Sequence, residues 1–344
     1  MSEIAIIGAG AWGTALSIIL GRTGTHRVRL WVHEQEVCDS IATRRVNEKF
    51  LPGCTLPETV NPTTHWDEAI RGAHIVISVM PSSYCRSTFE EMRGYLTPEM
   101  LLVSATKGIE KDTRMRMTEV ISNVVQNAMR FTPRIGALSG PSFALEAARG
   151  DPTAVTIASQ DAELARTVQQ EFSNASFRVY TNEDPVGVEL GGALKNTIAI
   201  AAGVCAGLGL GHNSVAALIT RGLAEMTRLV VACGGKAETM AGLAGLGDLV
   251  LTCTGSLSRN RSVGVELGRG RKLPEILAGM HGMVAEGIFT TTAAVGLAHG
   301  HGVEMPITEQ MYAILHQGKA PREAIYDLMT RRGKSETTRL PPAL

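Results

Sequence analysis

Ile4-Ala5-Ile6-Ile7-Gly8-Ala9-Gly10-Ala11-Trp12-Gly13 is the stretch whose reading decides the fold. Four apolar residues read as a buried strand, and Gly8, Gly10 and Gly13 complete a G-x-G-x-x-G pattern that opens a helix predicted over 13–22. That pattern is weak when it stands alone. Directly between a strand and a helix it is specific, because each glycine then has a physical task. One allows the tight turn, one lets backbone approach a pyrophosphate, and one permits close helix–strand packing. The helix N-terminus, with its free N–H groups, would face the phosphates of a dinucleotide. The bland alternative is a glycine turn needed only for packing.

Outward from this point the first half of the chain alternates strand and helix signals. Residues 28–32, 75–79, 101–104 and 135–138 read with 4–7 as buried parallel strands, and 34–43, 84–94 and 114–128 as helices. Two more strand signals follow at 153–158 and 177–180, around a helix at 161–172. This alternation implies right-handed crossovers and an α/β class with a Rossmann-like doubly wound sheet. After Asn182 the pattern changes to long helical stretches. We therefore expect a dinucleotide-binding domain over 1–182, an all-α C-terminal domain over 183–333 that carries substrate and chemistry, and a loose tail over 334–344. Thr181-Asn182-Glu183-Asp184-Pro185 reads as the turn and helix N-cap between them.

The bulk composition excludes several classes. The 33 basic and 33 acidic residues cancel, which argues against a nucleic-acid or membrane-surface partner. Cysteines 38, 54, 85, 205, 233 and 253 lie far apart and form no Cys-x-x-Cys pair, so neither a disulfide framework nor a zinc ribbon is expected. No metal site emerges; His299-Gly300-His301 has the wrong spacing for a helical ligand pair. Residues 196–220 contain no Asp, Glu, Lys or Arg, yet their glycines and His212-Asn213-Ser214 favour a buried helix and a turn over a membrane span. Met1-Ser2-Glu3 leads straight into a strand without a charged leader, so a cytoplasmic protein is expected.

The most unusual residue of the second half is the lysine of Gly191-Gly192-Ala193-Leu194-Lys195-Asn196. If 187–203 is helical, its neighbours three and four positions away are Gly191, Gly192, Ile198 and Ala199, none of which pairs an ammonium. Lys195 is then desolvated and its pKa falls toward the range useful for proton transfer. The bland reading is a lysine that snorkels along its own methylenes to water.

Other segments converge on it by topology. Lys107 follows the strand at 101–104, and Ser139-Gly140-Pro141-Ser142 follows the strand at 135–138. Residues at the carboxyl ends of such strands face the binding crevice. Asp248, among apolar and small residues in Gly245-Leu246-Gly247-Asp248-Leu249, needs a partner, and the buried lysine is the obvious one. Ser258-Arg259-Asn260 offers a hydroxyl, a planar fork and an amide at a helix start, a set suited to a phosphate monoester; an ordinary Ser N-cap is the alternative. At the end of the second strand, Trp31-Val32-His33-Glu34 leaves NAD against NADP open, since an acid favours one and a cation the other. Arg44 and Arg45 are nearby, with solvated helix ends as their default reading.

Taken together, GAGAWGTALS, SATKGIE, SGPSFALE, GGALKN, LITRGLAEM, GLAGLGDLVLTCT, SRNR and GVEMPIT closely resemble the bacterial-type glycerol-3-phosphate dehydrogenases, from about Ile4 to Gly318. The resemblance implies reversible reduction of dihydroxyacetone phosphate by NAD(H) or NADP(H) cofactors to sn-glycerol 3-phosphate, for phospholipid synthesis, by a homodimer. It makes Lys195 the proton acceptor and Lys107 a contact of both cofactor and substrate, and adds Asn196 to the catalytic set. Gly140, Ser142, Asp248, Ser258, Arg259 and Asn260 then complete the substrate site. Ala11, Trp12, His33, Ala144, Arg259, Val284 and Glu286 line the dinucleotide with Gly8, Gly10 and Gly13. Ala11 stands where relatives often carry serine, so only backbone remains there for the pyrophosphate; Trp12 replaces a common tyrosine and keeps the flat surface.

Two other readings compete. A β-hydroxyacid-type dehydrogenase also pairs a dinucleotide domain with a helix-borne lysine, but needs a carboxylate site rather than a phosphate site. A cofactor sensor without catalysis would have no use for Lys107, Lys195, Asp248 and Arg259 together.

Overall fold

A computed structural model describes residues 2–280, 284–333 and 335–336. The expected tail over 334–344 lies almost wholly outside them. The chain begins with β1 (Ser2–Ile7), α1 (Ala11–Gly21), β2 (His26–Trp31), α2 (Gln35–Arg44), β3 (Val46–Asn47), β4 (Leu51–Thr55), β5 (Val60–Thr63) and α3 (Trp66–Ile70). It continues with β6 (Ile75–Ser78), α4 (Cys85–Met92), β7 (Leu101–Ser104), α5 (Met117–Met129), β8 (Arg134–Ser139), α6 (Ala144–Arg149), β9 (Thr153–Ala158), α7 (Ala162–Phe172) and β10 (Phe177–Asn182).

Eight strands form one sheet in the order β10-β9-β8-β7-β6-β1-β2-β5. The sequence winds outward from β1 in one direction through β2 and β5, then returns to build β6, β7 and β8 on the other side. The carboxyl ends of β1 and β6 therefore flank the switch point at which an open α/β sheet binds its ligand. The strands from β5 to β8 are parallel, whereas β9 runs antiparallel to β8 and carries β10 parallel to itself. A short connection, Gly140 to Pro152 with only α6 inside it, makes that reversal.

Several local expectations are corrected. The helix expected over 84–94 ends at Met92 and tightens into a 3₁₀ turn at Arg93–Tyr95. The one expected over 114–128 starts only at Met117, because Arg114 takes a left-handed φ of 61° and Arg116 is the extended N-cap. Edge strand β5 escaped the reading, since Val60-Asn61-Pro62-Thr63 carries a proline that only an edge tolerates. The two-residue strand β3 and its partner β4 are too short and too polar to show periodicity.

After Asn182 only helices follow among the described residues: α8 (Pro185–Gly207), α9 (His212–Ala232), α10 (Ala237–Met240), α11 (Asp248–Thr254), α12 (Arg259–Gly268), α13 (Leu273–Ala278), α14 (Gly287–Gly300), α15 (Pro306–Gln317) and α16 (Pro321–Met329). Asp184 caps α8, accepting from the Gly187 N–H (2.8 Å) while its other oxygen takes Lys236 N–H (2.8 Å) and Thr239 Oγ1 (2.7 Å). Helix α8 is long and apolar enough to cross a membrane, but it is the core of this half, buried continuously from Gly187 to Cys205. Its apolar surface is covered by α9, α11, α12 and α14, and not by lipid.

Helix α8 is also bolted to the sheet domain. Glu189 accepts the Thr118 N–H (2.8 Å) and Thr118 Oγ1 (2.6 Å) and pairs with Arg116 (2.5 Å), so a buried carboxylate closes the N-terminus of α5. This fixes the start of the second turn of α8 against the dinucleotide half and so sets the depth at which Lys195, nearly two turns on, enters the crevice.

Candidate active site

The glycine-rich loop has the shape its sequence requires. Gly8 adopts φ 114°, and a Cβ there would stand 2.3 Å from the Val79 carbonyl oxygen; a Cβ on Gly13 would stand 1.9 Å from that of Gly8. At Gly10 a Cβ would meet nothing within 4 Å, and no side chain caps the first turn of α1. Open space beside uncapped N–H groups is what a pyrophosphate needs. The residues present fit a dinucleotide.

Around this loop lie the side chains expected to line it. Trp12 is half-buried, its ring 6.4 Å from that of Phe177. His33 is exposed just beyond β2, 5.8 Å from the Trp31 ring, and Ala11 and Ala144 open α1 and α6. Glu286 reaches across from the helical half and accepts both the Ser82 N–H (3.0 Å) and Ser82 Oγ (2.6 Å). Burial pushes its carboxyl upward, against those two bonds and the nearby charge of Arg259. Val284 is half-buried just before it.

The chemical centre is a three-residue charge cluster. Lys195, only 6% exposed, donates to Asp248 Oδ1 (2.7 Å) and to Thr252 Oγ1 (2.6 Å). Lys107, at the carboxyl end of β7, donates to Asp248 Oδ2 (2.7 Å) and to the Gly140 carbonyl (2.9 Å). Ser142 Oγ donates to that same carbonyl (3.0 Å). Asp248 is 1% exposed and opens α11, directly after a π-helical turn at Leu243–Gly247 that aims it at α8. Burial pulls the Lys195 pKa down to about 8; the Asp248 charge opposes this and the Lys107 charge adds to it.

Close approach of α8 makes the cluster possible. A Cβ on Gly192 would lie 2.5 Å from Ser139 Oγ and 3.6 Å from Lys107 Cγ. Gly192 thus removes a side chain where the helix meets the ends of β7 and β8, and Gly191 does the same against the Ala244 carbonyl, 2.8 Å from where its Cβ would stand. In sequence this looked like a lysine with no neighbour able to pair it. Its partners come from elements 53 and 57 residues downstream.

Asn196 faces away from this cluster into a second chain of amides. Asn260 Nδ2 donates to Asn196 Oδ1 (2.9 Å), and Asn260 Oδ1 accepts the Gly287 N–H (3.0 Å). Ser258 caps α12 by accepting the Arg261 N–H (3.2 Å). Both polar oxygens of this loop are therefore engaged within the protein. The Ser258 hydroxyl proton and the exposed Arg259 fork, from which none of the described residues accepts a hydrogen bond, are left for an anion.

Thr252 was missed as a contributor, although it was legible as the residue one helical turn after Asp248. Val79-Met80-Pro81-Ser82 reads in the sequence as a turn whose loop passes near the nicotinamide-side ribose. The bond of Ser82 to Glu286 had no sequence signal, because the two are 204 residues apart.

Comparison with known proteins agrees with this geometry. A family model described as NAD-dependent glycerol-3-phosphate dehydrogenase N-terminus matches residues 3–165, and the corresponding C-terminus model matches 184–326. The glycerol-3-phosphate dehydrogenase (NAD(P)+) of Koribacter versatilis is 67% identical over 336 residues, covering 98% of this chain and 99% of that one. The enzyme of the same name from Acidobacterium capsulatum is 56% identical, covering 98% and 100%. A crystal structure of glycerol-3-phosphate dehydrogenase from Coxiella burnetii superposes with a TM-score of 0.90 at 40% identity, over 96% of this chain and 99% of that one. A crevice with a dinucleotide loop on one wall and a buried lysine–carboxylate pair on the other, carried by a chain that matches both halves of one family, leaves a single assignment: this protein belongs to the NAD-dependent glycerol-3-phosphate dehydrogenase family.

Proposed function

We propose that the protein reduces dihydroxyacetone phosphate reversibly to sn-glycerol 3-phosphate with NADH or NADPH, Lys195 serving as proton shuttle, and so supplies glycerophospholipid synthesis. The observation that carries this reading is the Lys195–Asp248–Lys107 cluster, with both ammonium groups 2.7 Å from one carboxylate at the carboxyl ends of the strands.

A dinucleotide held by the glycine-rich loop at Gly8, Gly10 and Gly13 would supply hydride chemistry at C2 of the ketone. The chain's own residues then have three tasks. Arg259 and the Ser258 hydroxyl hold the phosphate, a dianion matched by a planar fork at a helix start. Lys107, anchored by Asp248 and the Gly140 carbonyl, polarises the substrate from the sheet side. Lys195 gives a proton to the carbonyl oxygen as charge develops there, and in the reverse direction takes it from the hydroxyl. A lysine with its pKa near 8 can do both close to neutral pH. Asp248 keeps the amine pointed at the crevice, and Thr252 fixes the angle of approach.

A phosphate site separates this reading from the β-hydroxyacid type. Turnover followed at the NADH absorbance band, with dihydroxyacetone phosphate against unphosphorylated hydroxyketones and hydroxyacids, tests it. Equal rates on substrates that lack the phosphate would overturn it. The proposal includes a cytoplasmic homodimer; sedimentation equilibrium checks the homodimer.

A further inference from the structure

Around the carboxyl end of β2 the fold builds a charge pair with no role in the chemistry above. The turn between β3 and β4 is anchored at its start by one residue. Asn47, fully buried, donates from Nδ2 to the Ala9 carbonyl (2.8 Å) and to Thr14 Oγ1 (2.8 Å), and its Oδ1 accepts the Phe50 N–H (3.1 Å). This fastens the turn to the glycine-rich loop itself. Two residues on, Lys49 Nζ stands 3.4 Å from Glu34 Oε1 and 5.1 Å from the Phe50 ring centroid.

Glu34 is the N-cap of α2, three residues beyond the end of β2. The Gly8 N–H donates to the Trp31 carbonyl (3.1 Å), so that strand end lies against the glycine-rich loop. This is the place where the fold holds the adenosine ribose of a dinucleotide. Arg44 and Arg45, at the far end of α2, point elsewhere. Arg45 donates to the carbonyls of Leu56 (3.3 Å) and Val60 (2.8 Å), and Arg44 donates to Ser40 Oγ (2.9 Å).

We propose that Glu34 and Lys49 together select the substituent at the 2′ position of that ribose, Glu34 taking a 2′-hydroxyl and Lys49 turning to a 2′-phosphate. The proposal rests on the cofactor reading above and deepens it. A carboxylate accepts a hydrogen bond from a hydroxyl but repels a phosphate; an ammonium does the reverse. Either group alone makes the site one-sided. Paired in an exposed position they hold each other only weakly. A phosphate carrying close to two charges then outcompetes Glu34 for the ammonium, and the four-carbon stem of lysine allows the swing. His33, exposed beside Trp31 at the same strand end, is the other group available there.

The test is equilibrium binding by calorimetry on the intact protein, with NADH, NADPH, 5′-AMP and adenosine 2′,5′-bisphosphate as probes. Lys49→Met is expected to raise the ratio of the NADPH to the NADH dissociation constant by roughly tenfold, and to flatten the salt dependence of NADPH binding. Glu34→Gln lowers that ratio, and Lys49→Arg preserves it. The bisphosphate and AMP pair should show the same pattern, since the selection needs no nicotinamide. A Lys49→Met ratio within about twofold of wild type, or equal weakening of both dinucleotides, overturns the selector and leaves the cofactor reading standing. Failure of the wild-type protein to bind either dinucleotide overturns both.

Discussion

Lys107 and Lys195 share one carboxylate, each ammonium 2.7 Å from a different oxygen of Asp248. Two cations held this way repel each other, and the charge between them offsets that repulsion. The arrangement holds Lys195 near its point of neutralisation without letting it escape to water. Removing one partner of such a buried set leaves an uncompensated charge, so the cluster responds as a unit.

Lys195→Ala removes the proposed proton shuttle and nothing from the glycine-rich loop. Turnover should fall by about 10²–10⁴-fold, while NADH binding measured by fluorescence quenching stays close to wild type. Near-normal turnover would remove Lys195 from the mechanism.

The pH dependence has opposite signs in the two directions. Reduction needs the ammonium form, so its rate should decline as pH rises through about 8, the value to which burial brings Lys195. Oxidation needs the neutral amine and should rise through the same pH. Lys195→Arg, which does not titrate in this range, should erase both inflections. pH–rate profiles in both directions check this, and inflections that persist in the arginine variant would assign them to another group.

Asp248→Asn takes the negative charge from between the two lysines. Its charge is what opposes the effect of burial on Lys195, so the inflection should move to lower pH and turnover should drop by roughly tenfold or more. An inflection that stays at the wild-type position would show that Asp248 does not tune the amine.

Arg259→Ala tests the phosphate site. KM for dihydroxyacetone phosphate should rise by about ten- to a hundredfold, the range for hydrogen bonds to a charged group, with a smaller change in kcat. Unphosphorylated dihydroxyacetone should lose little. A parallel loss on both substrates would argue that Arg259 serves the fold or the cofactor instead.

Gly192→Ala places a methyl 2.5 Å from Ser139 Oγ. Ser139 Oγ is buried and has no hydrogen-bond partner in the structure, so it is free to be removed. The single variant should lose about 1–3 kcal/mol of stability through overpacking, read from denaturant unfolding. Adding Ser139→Ala should recover part of that loss, and a double variant no better than the single one would place the strain elsewhere.

Much of this was legible along the chain. The run of 4–13 announced a strand, a turn and a helix, because period and glycine placement are properties of neighbours. Lys195 was conspicuous for the same reason: its helical neighbours three and four positions away, Gly191, Gly192, Ile198 and Ala199, offer it no partner. The short and irregular elements were not legible. Strand β5 carries Pro62, strand β3 has two residues, and the π-helical turn before Asp248 is written in glycines that serve equally for a loop.

The sequence by itself determined the dinucleotide loop, the sheet that carries it, the helical second half and the identity of the residues with unusual chemistry. Only the tertiary structure decided how those residues are joined. Asp248 meets Lys195 across 53 residues and Lys107 across 141, Glu286 meets Ser82 across 204, and Lys49 meets Glu34 through a turn pinned by Asn47. Local patterns specify where a strand or helix forms. Which charge neutralises which depends on the packing of elements far apart in the chain, and that is settled only when α8 comes to rest against the ends of β7 and β8.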